Sequence, residues 1–455
     1  MRTKYKYARI VFAGIMIACI ARVARAQQVD SIVNQAWNIH GQFTFITQYH
    51  PAFHAAYSGK NSLSDSSDHE SSLTFTLFIG RRLWRNAAVY FSPEVSGGLG
   101  FNDARGIAGF TNGDIYRVDN PTPQGYVARL YLIQYIPLGG SSDVQPDEPL
   151  QLGGYVPSRR LEVIAGKLSM TDLFDDNPVS HDPRTQFLNW SIMDDGAWDF
   201  PADTRGYDAI VSLGYVTPHW TIRMAEALEP TYANGSTLNW NLHRSHSETI
   251  ECTYTGTWRQ HPLFAGIHVY NNFTPAPEYA AVVRAKKLGT DTTMDVIDPS
   301  PVSHSKYGVG ASMSYTANAR LQTFLRAGWN DGHTATWAFT EIDRSISAGG
   351  MYQIPLPSRQ KYWQRSDRFL QIGCAFVVNG LSAPHREFLE AGGYGFVIGD
   401  GKLRYATENI AELYALFPLH QLITLTGDFQ WIVHPAYNRD RGPVAVGSIR
   451  LHVAF

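Results

Sequence analysis

The stretch ETIECTYTGTW (248–258) sets Ile250, Cys252, Tyr254 and Trp258 against Glu251, Thr253, Thr255 and Thr257. A period of two with unlike faces is the mark of a strand that meets different surroundings on its two sides. What most constrains this chain is that the same short pattern recurs along it. LTFTLFIGRRLW (73–84), KYGVGASMSYT (306–316), LQIGCAFVV (370–378) and ITLTGDFQWIV (423–433) repeat it, each with an aromatic near one end. Beyond residue 26 no apolar run approaches the roughly 18 residues that a membrane helix needs. About seventeen such segments can be counted, and antiparallel barrels close with an even number, which gives 16 or 18. The last nine residues, GSIRLHVAF, carry the alternation to the final position: Ile449, Leu451, Val453 and Phe455 against Ser448, Arg450 and His452. Nothing after Phe455 folds over the apolar side, so a membrane is its natural neighbour. The expectation is an all-β chain forming a transmembrane antiparallel β-barrel of 16 strands (18 as the alternative). A secreted β-sandwich or β-solenoid would alternate in the same way, but its apolar faces would need a second sheet.

The N-terminus reads as a secretory leader. A basic segment, MRTKYKYAR, precedes the apolar run IVFAGIMIACIA and the small residues ARA, which places cleavage after residue 26. Acylation at Cys19 is the alternative, although MIAC lacks the usual leucine. Residues 27–455 then form one domain, since no linker, composition shift or block of like charge divides them. Loss of the leader lowers Lys+Arg from 38 to 32 against 40 Asp+Glu, so the rest carries about −8. That disfavours a nucleic-acid partner. Cys252 and Cys374 sit on apolar strand faces as isolated thiols, and no metal-binding spacing occurs.

Parity identifies residues that point inward. With Leu73, Phe75 and Leu77 outward, Arg82 faces the lumen. Glu94 and Tyr90 do so in VYFSPEVS (89–96), Arg129 and Tyr131 in YVARLYLIQY (126–135), and Arg223 in WTIRMA (220–225). A charge on the opposite set would cost roughly 2–4 kcal/mol at mid-bilayer. A second group lies in TDLFDDNPVSHDPRTQFLNWSIMDDGAWDFPADTRG (171–206), too long and too aromatic for an ordinary turn. It is expected to fold into the barrel as a constriction loop. Asp172, Asp175, Asp182, Arg184, Asp203 and Arg205 would offer polar contacts there, and Trp190 and Trp198 stacking faces. The bland alternatives are a lumen wall that neutralises itself and an outer cap held by its own ion pairs.

Several segments resemble the carbohydrate-selective porin family of OprB type: NIHGQFTFITQYHPAF (38–53), GRRLW (80–84), PEVSGG (93–98), GFTNGD (109–114), DDNPVSHDPRTQFLNW (175–190), PADTRGYDA (201–209) and HPAYNRDRGPV (434–444). They run in family order across most of the chain. The resemblance implies an outer-membrane porin of a Gram-negative bacterium, embedded in outer-membrane lipid, that lets small sugars diffuse passively. Monosaccharides would be the foremost substrates. It also implies that outer-membrane assembly machinery reads the terminal Phe455 strand. A homotrimer, common among porins, is compatible with the apolar exterior. The loops 141–151 and 285–301 depart from the family pattern. A general or polymer-exporting channel shares the fold, but candidate lumen residues of both signs favour neutral solutes. A barrel hydrolase is the other class. His69-Glu70 is not followed by the second histidine of H-E-x-x-H, and no G-x-S-x-G or nucleotide loop is present. No enzyme activity, cofactor or metal is expected.

Overall fold

The computed structural model describes residues 34–115, 121–291, 293–339, 341–357 and 368–455, so the expected leader at 1–26 lies outside the described residues. Among these, sixteen antiparallel strands close into one barrel. They are β1 (Trp37–His50), β2 (Asp68–Trp84), β3 (Ala87–Gly98), β4 (Gln124–Pro137), β5 (Arg160–Leu168), β6 (Asp208–Val216), β7 (Trp220–Ala227) and β8 (His246–Trp258). The second half comprises β9 (His261–Thr274), β10 (His304–Thr316), β11 (Leu321–Asn330), β12 (Arg344–Pro355), β13 (Phe369–Gly380), β14 (Glu408–His420), β15 (Ile423–Val433) and β16 (Val444–Ala454). Each strand pairs with its sequence neighbours, and β16 returns to β1. The strand number is therefore sixteen rather than eighteen.

The two faces divide as the alternation predicts. Val211, Ile222, Ile250, Ile267, Phe376 and Ile449 are exposed on the outside. Trp37, Trp84, Trp220, Trp258 and Tyr352 ring one end, and Tyr49, Tyr307 and Trp431 the other. An apolar band between two aromatic girdles is the exterior of a membrane-spanning barrel. Cys252 and Cys374 lie on this face as free thiols. Inside, Thr74, Thr76, Glu94, His268, Arg326, Glu412 and Arg450 are buried.

The seam between β16 and β1 closes through Phe455. Its backbone N–H donates to Gly41 O at 2.9 Å, and Gly41 N–H donates back at 2.8 Å. Gly41 has no side chain on the outer face, and the Phe455 ring occupies the space a Cβ would fill.

The ends differ in length. Segments 85–86, 217–219, 259–260, 317–320 and 421–422 are tight turns at one end, where 138–159 is the long described exception. The other end carries long loops, whose described residues include 99–115 and 121–123, 169–207, 275–291 and 293–303, 331–339 and 341–343, and 381–407. Loop 169–207 contains the single-turn helix α1 (Trp190–Met193), capped by the Asn189 side chain. Loops 275–303 and 381–407 carry α2 (Tyr279–Leu288) and α3 (Ala383–Glu390). These two helices pack together, with Tyr279 stacked on His385 at 4.3 Å.

Candidate functional site

The polar stretch 169–207 lies inside the barrel, where it is the inward-folded loop that its length and aromatic content predict. Backbone polar groups placed there need partners, and the wall supplies them. Arg326 of β11 donates to the Asp175 carboxylate at 2.9 Å and to the carbonyls of Ser180 and Ile192 at 2.8 Å each. Glu412 of β14 accepts from the backbone of Leu188 (2.5 Å) and Asn189 (3.0 Å). Arg450 of β16 donates to the carbonyls of Pro183 (2.5 Å) and Gln186 (2.9 Å). Lys306 of β10 pairs with Asp199 at 3.2 Å, and that carboxylate accepts from the backbone of Trp337, Ala338 and Phe339. Much of the lumen charge therefore serves to hold loop backbone.

A second loop enters beside it. Glu408 of β14 accepts from the backbone of Ala108 (3.0 Å) and Gly109 (2.7 Å). This sets Phe110 face to face with Trp190, with centroids 5.0 Å apart. Trp190 stacks in turn on Phe339 at 4.7 Å, and Phe339 on Phe200 at 4.0 Å. Aromatic residues from three loops make one continuous stack.

This stack and a polar group share a cavity of about 360 Å³, within the usual range of roughly 300–1,000 Å³ for small-molecule sites. Arg129, Arg184 and Arg205 line it together with Glu94, Asp114, Asp172, Tyr126 and Tyr207. The Asp172 carboxylate takes the Nε–Nη2 edge of Arg129 at 2.7 and 2.6 Å, which turns the other edge of the fork away from it. Arg184 Nε donates to Asp114 at 2.7 Å and its Nη2 lies 3.6 Å from Glu94. Arg205 donates to Gln124 at 2.9 Å and lies over the Tyr126 ring at 4.3 Å. Glu94 accepts from Thr76 (2.5 Å), from Tyr207 (3.1 Å) and from the Tyr126 hydroxyl.

The loop groups are tuned by the same contacts. Burial pushes Asp114 up, against the opposing pull of Arg184. Asp182 is buried too, but the Thr185 hydroxyl and the Arg184 charge bring it below the usual carboxylate range. Burial would depress His181; the hydrogen bond and charge of Asp194, 3.1 Å away, with Asp176 and Asp175 behind it, raise it to about 9. The imidazolium is therefore charged at neutral pH. Fixed donors and acceptors suit the hydroxyls of a polyol, and ring faces suit its C–H surface. Among the described residues no group of three His, Cys, Asp or Glu side chains is placed to hold a metal.

Seven of the fourteen residues singled out from sequence line this cavity: Glu94, Arg129, Asp172, Asp182, Arg184, Trp190 and Arg205. The other seven do not line it. Arg82 has the expected inward parity but sits at the tight-turn end, where it donates to the carbonyls of Gln35 (2.8 Å) and Gly153 (3.3 Å). Tyr131 is buried in a stack with Tyr90 at 5.3 Å. Arg223 is bound to Glu162 at 2.6 Å and to Leu173 O at 2.7 Å. Asp175 is buried on Arg326, Trp198 is fully buried beside His268, and Asp203 pairs with Lys167 at 3.0 Å.

Tyr126 escaped the parity rule for a physical reason. The β3–β4 register shifts between Ser92 and Pro93, so Ala128 and Arg129 both turn inward and the alternation flips below them. Pro93 has no N–H for the ladder, and prolines within sheets are found at such bulges. Phe110 and Asp114 belong to GFTNGD, a segment whose inward course no local pattern signalled. Phe339 lies in 331–343, where nothing in the sequence marked it.

Residues 60–455 match the family model described as carbohydrate-selective porin, OprB family. Among solved structures, the chain resembles the high-pH structure of Pseudomonas putida OprB, with a TM-score of 0.67 and 14% identity over 92% of this chain and 94% of that one. It also resembles the outer-membrane channel DcaP of Acinetobacter baumannii, with a TM-score of 0.51 and 10% identity over 92% and 97%. At such identities the likeness is one of fold. Comparison with curated protein sequences finds no match.

Proposed function

Because this chain belongs to the carbohydrate-selective porin, OprB family, and is a sugar porin of the bacterial outer membrane, we propose that small neutral sugars, monosaccharides foremost, diffuse passively through the cavity described above. Arg129, Arg184, Arg205, Glu94 and Asp172 would bind hydroxyls there, and Trp190 would offer a face to the ring. One observation carries this reading: three guanidinium groups, and the carboxylates that pair with Arg129 and Arg184, share a single cavity with a four-ring aromatic stack. Charges that neutralise one another locally leave little field for an ion or an anionic polymer, while their hydrogen-bonding geometry suits a polyol. The same pairing supports a channel without covalent chemistry. Glu94 and Asp114 are held by Arg184 and Asp172 by Arg129, an arrangement that fixes carboxylates rather than freeing them for proton transfer.

Single-channel current in a planar bilayer tests this directly. Monosaccharides should reduce the ionic current saturably, and disaccharides less effectively. Current indifferent to sugars would leave a general channel. A folded sample without conductance would overturn the reading.

A further inference from the structure

Segment 138–159 is long for its end of the barrel, and its hairpin (Ser142–Gln145 paired with Gly154–Pro157) reaches the pore interior. Beyond these strands the chain tightens into a turn in which Glu148 and Gln151 exchange backbone hydrogen bonds at 3.2 and 2.9 Å. Pro149 and Leu150 form its tip. Both line the cavity of Arg129 and Trp190, and Leu150 packs against the apolar cluster that contains Phe110, Trp190 and Phe200.

The turn is held firmly. The Asp147 carboxylate accepts from Gln35 (3.0 Å) and Asn38 (2.5 Å) and pairs with His40 (3.1 Å). The Asn38 amide also donates to the carbonyls of Glu148 and Gln151, at 2.9 and 3.1 Å. Leu152 N–H donates to the Tyr90 hydroxyl at 3.0 Å. Leu150 itself has φ +59°, a left-handed backbone that a branched side chain rarely adopts. Glycine would sit there without strain, so the position is one where the side chain itself has a use.

Below the turn lies another cavity, of about 490 Å³, lined by Arg82, Asn86, Ser141, Ser142 and Tyr155 among others. It shares no lining residue with the sugar cavity, and the hairpin segment contributes to both. The segment therefore stands between them.

Short turns mark the periplasmic end of such barrels, and we propose that this hairpin is the inner selectivity element of the pore: Pro149 and Leu150 floor the sugar site and set the largest solute that leaves towards the periplasm. Its steric role holds for any solute, and only its contact with sugar rests on the proposed substrate. The test compares wild type, Leu150→Gly, Leu150→Trp and a variant in which 143–156 is replaced by a short Gly-Ser linker. Ionic conductance and the exclusion limit for graded polyethylene glycols are measured in planar bilayers. The linker variant should conduct at least about twofold more and admit larger polymers, with Leu150→Gly shifted the same way and Leu150→Trp the opposite way. Unchanged conductance and exclusion limit in a folded linker variant would overturn the proposal. If that variant fails to fold, equal values for Leu150→Gly, Leu150→Trp and wild type would overturn it. Absence of sugar block in wild type would sink the sugar reading alone, because the polymer limit is measured without sugar.

Discussion

Arg129 is held to Asp172 along one edge and lies 5.1 Å from the centre of the Tyr207 ring. A lysine there would keep the charge and lose the fork. Hydrogen bonds to charged groups contribute roughly 1.5–3 kcal/mol, so Arg129→Lys should raise the sugar dissociation constant about tenfold or more. Sugar titrations of single-channel current on a variant that still folds would check this, and an unaltered constant would remove Arg129 from the site. His181 makes a different prediction. Its folded pKa of about 9 exceeds the ordinary 6.5, so its stabilisation is complete below pH 6.5 and disappears as pH rises through about 9. That shift corresponds to about 3 kcal/mol at most. Thermal unfolding in detergent should show His181→Gln less stable than wild type at pH 6 and the two nearly equal at pH 10; a gap that persists at pH 10 would exclude the imidazolium as its cause. At this scale the sequence was informative wherever alternation ran unbroken, as at Glu94. It misled at Tyr126, where a bulge reverses the faces, and it was silent on depth, which separates Arg82 from Arg129.

The loop 169–207 was legible because Phe187, Trp190, Trp198 and Phe200 would be wasteful in an exposed turn, and all four are buried. The inner hairpin was not, since N–H, carbonyl and amide groups make most of its attachments and such groups have no sequence signature. That the terminal strand faces the membrane was foreseen from the apolar side of GSIRLHVAF, but Gly41 as the partner of Phe455 was not. Gly41 leaves the space that the Phe455 ring fills, so Gly41→Val should displace the ring and weaken the seam. Deleting Phe455 removes both backbone hydrogen bonds to Gly41. Each change should lower the fraction of chain that migrates on unheated gels as a folded, heat-modifiable barrel, with the deletion more severe. Normal folded yields from both would deny the seam any special importance and would count against the terminal strand as the segment that assembly machinery reads.

Across the whole molecule, strand alternation was enough to foresee a closed barrel because a membrane exterior leaves few other ways to satisfy every backbone group. The interior followed no such simple rule, since residues far apart in sequence meet there through loops. One of those meetings bears on how the molecule comes into being. Arg450 sits on β16, the strand that completes the ring, and it grips Pro183 and Gln186 of a loop that belongs inside that ring. A finished cylinder would leave the loop to be threaded through its mouth. Closing the last gap around a loop already in place needs no threading, and Arg450 can then act as the latch that joins the two events. On that order of events, filling the lumen and sealing the wall would be one step, and the channel would be narrow from the moment it exists.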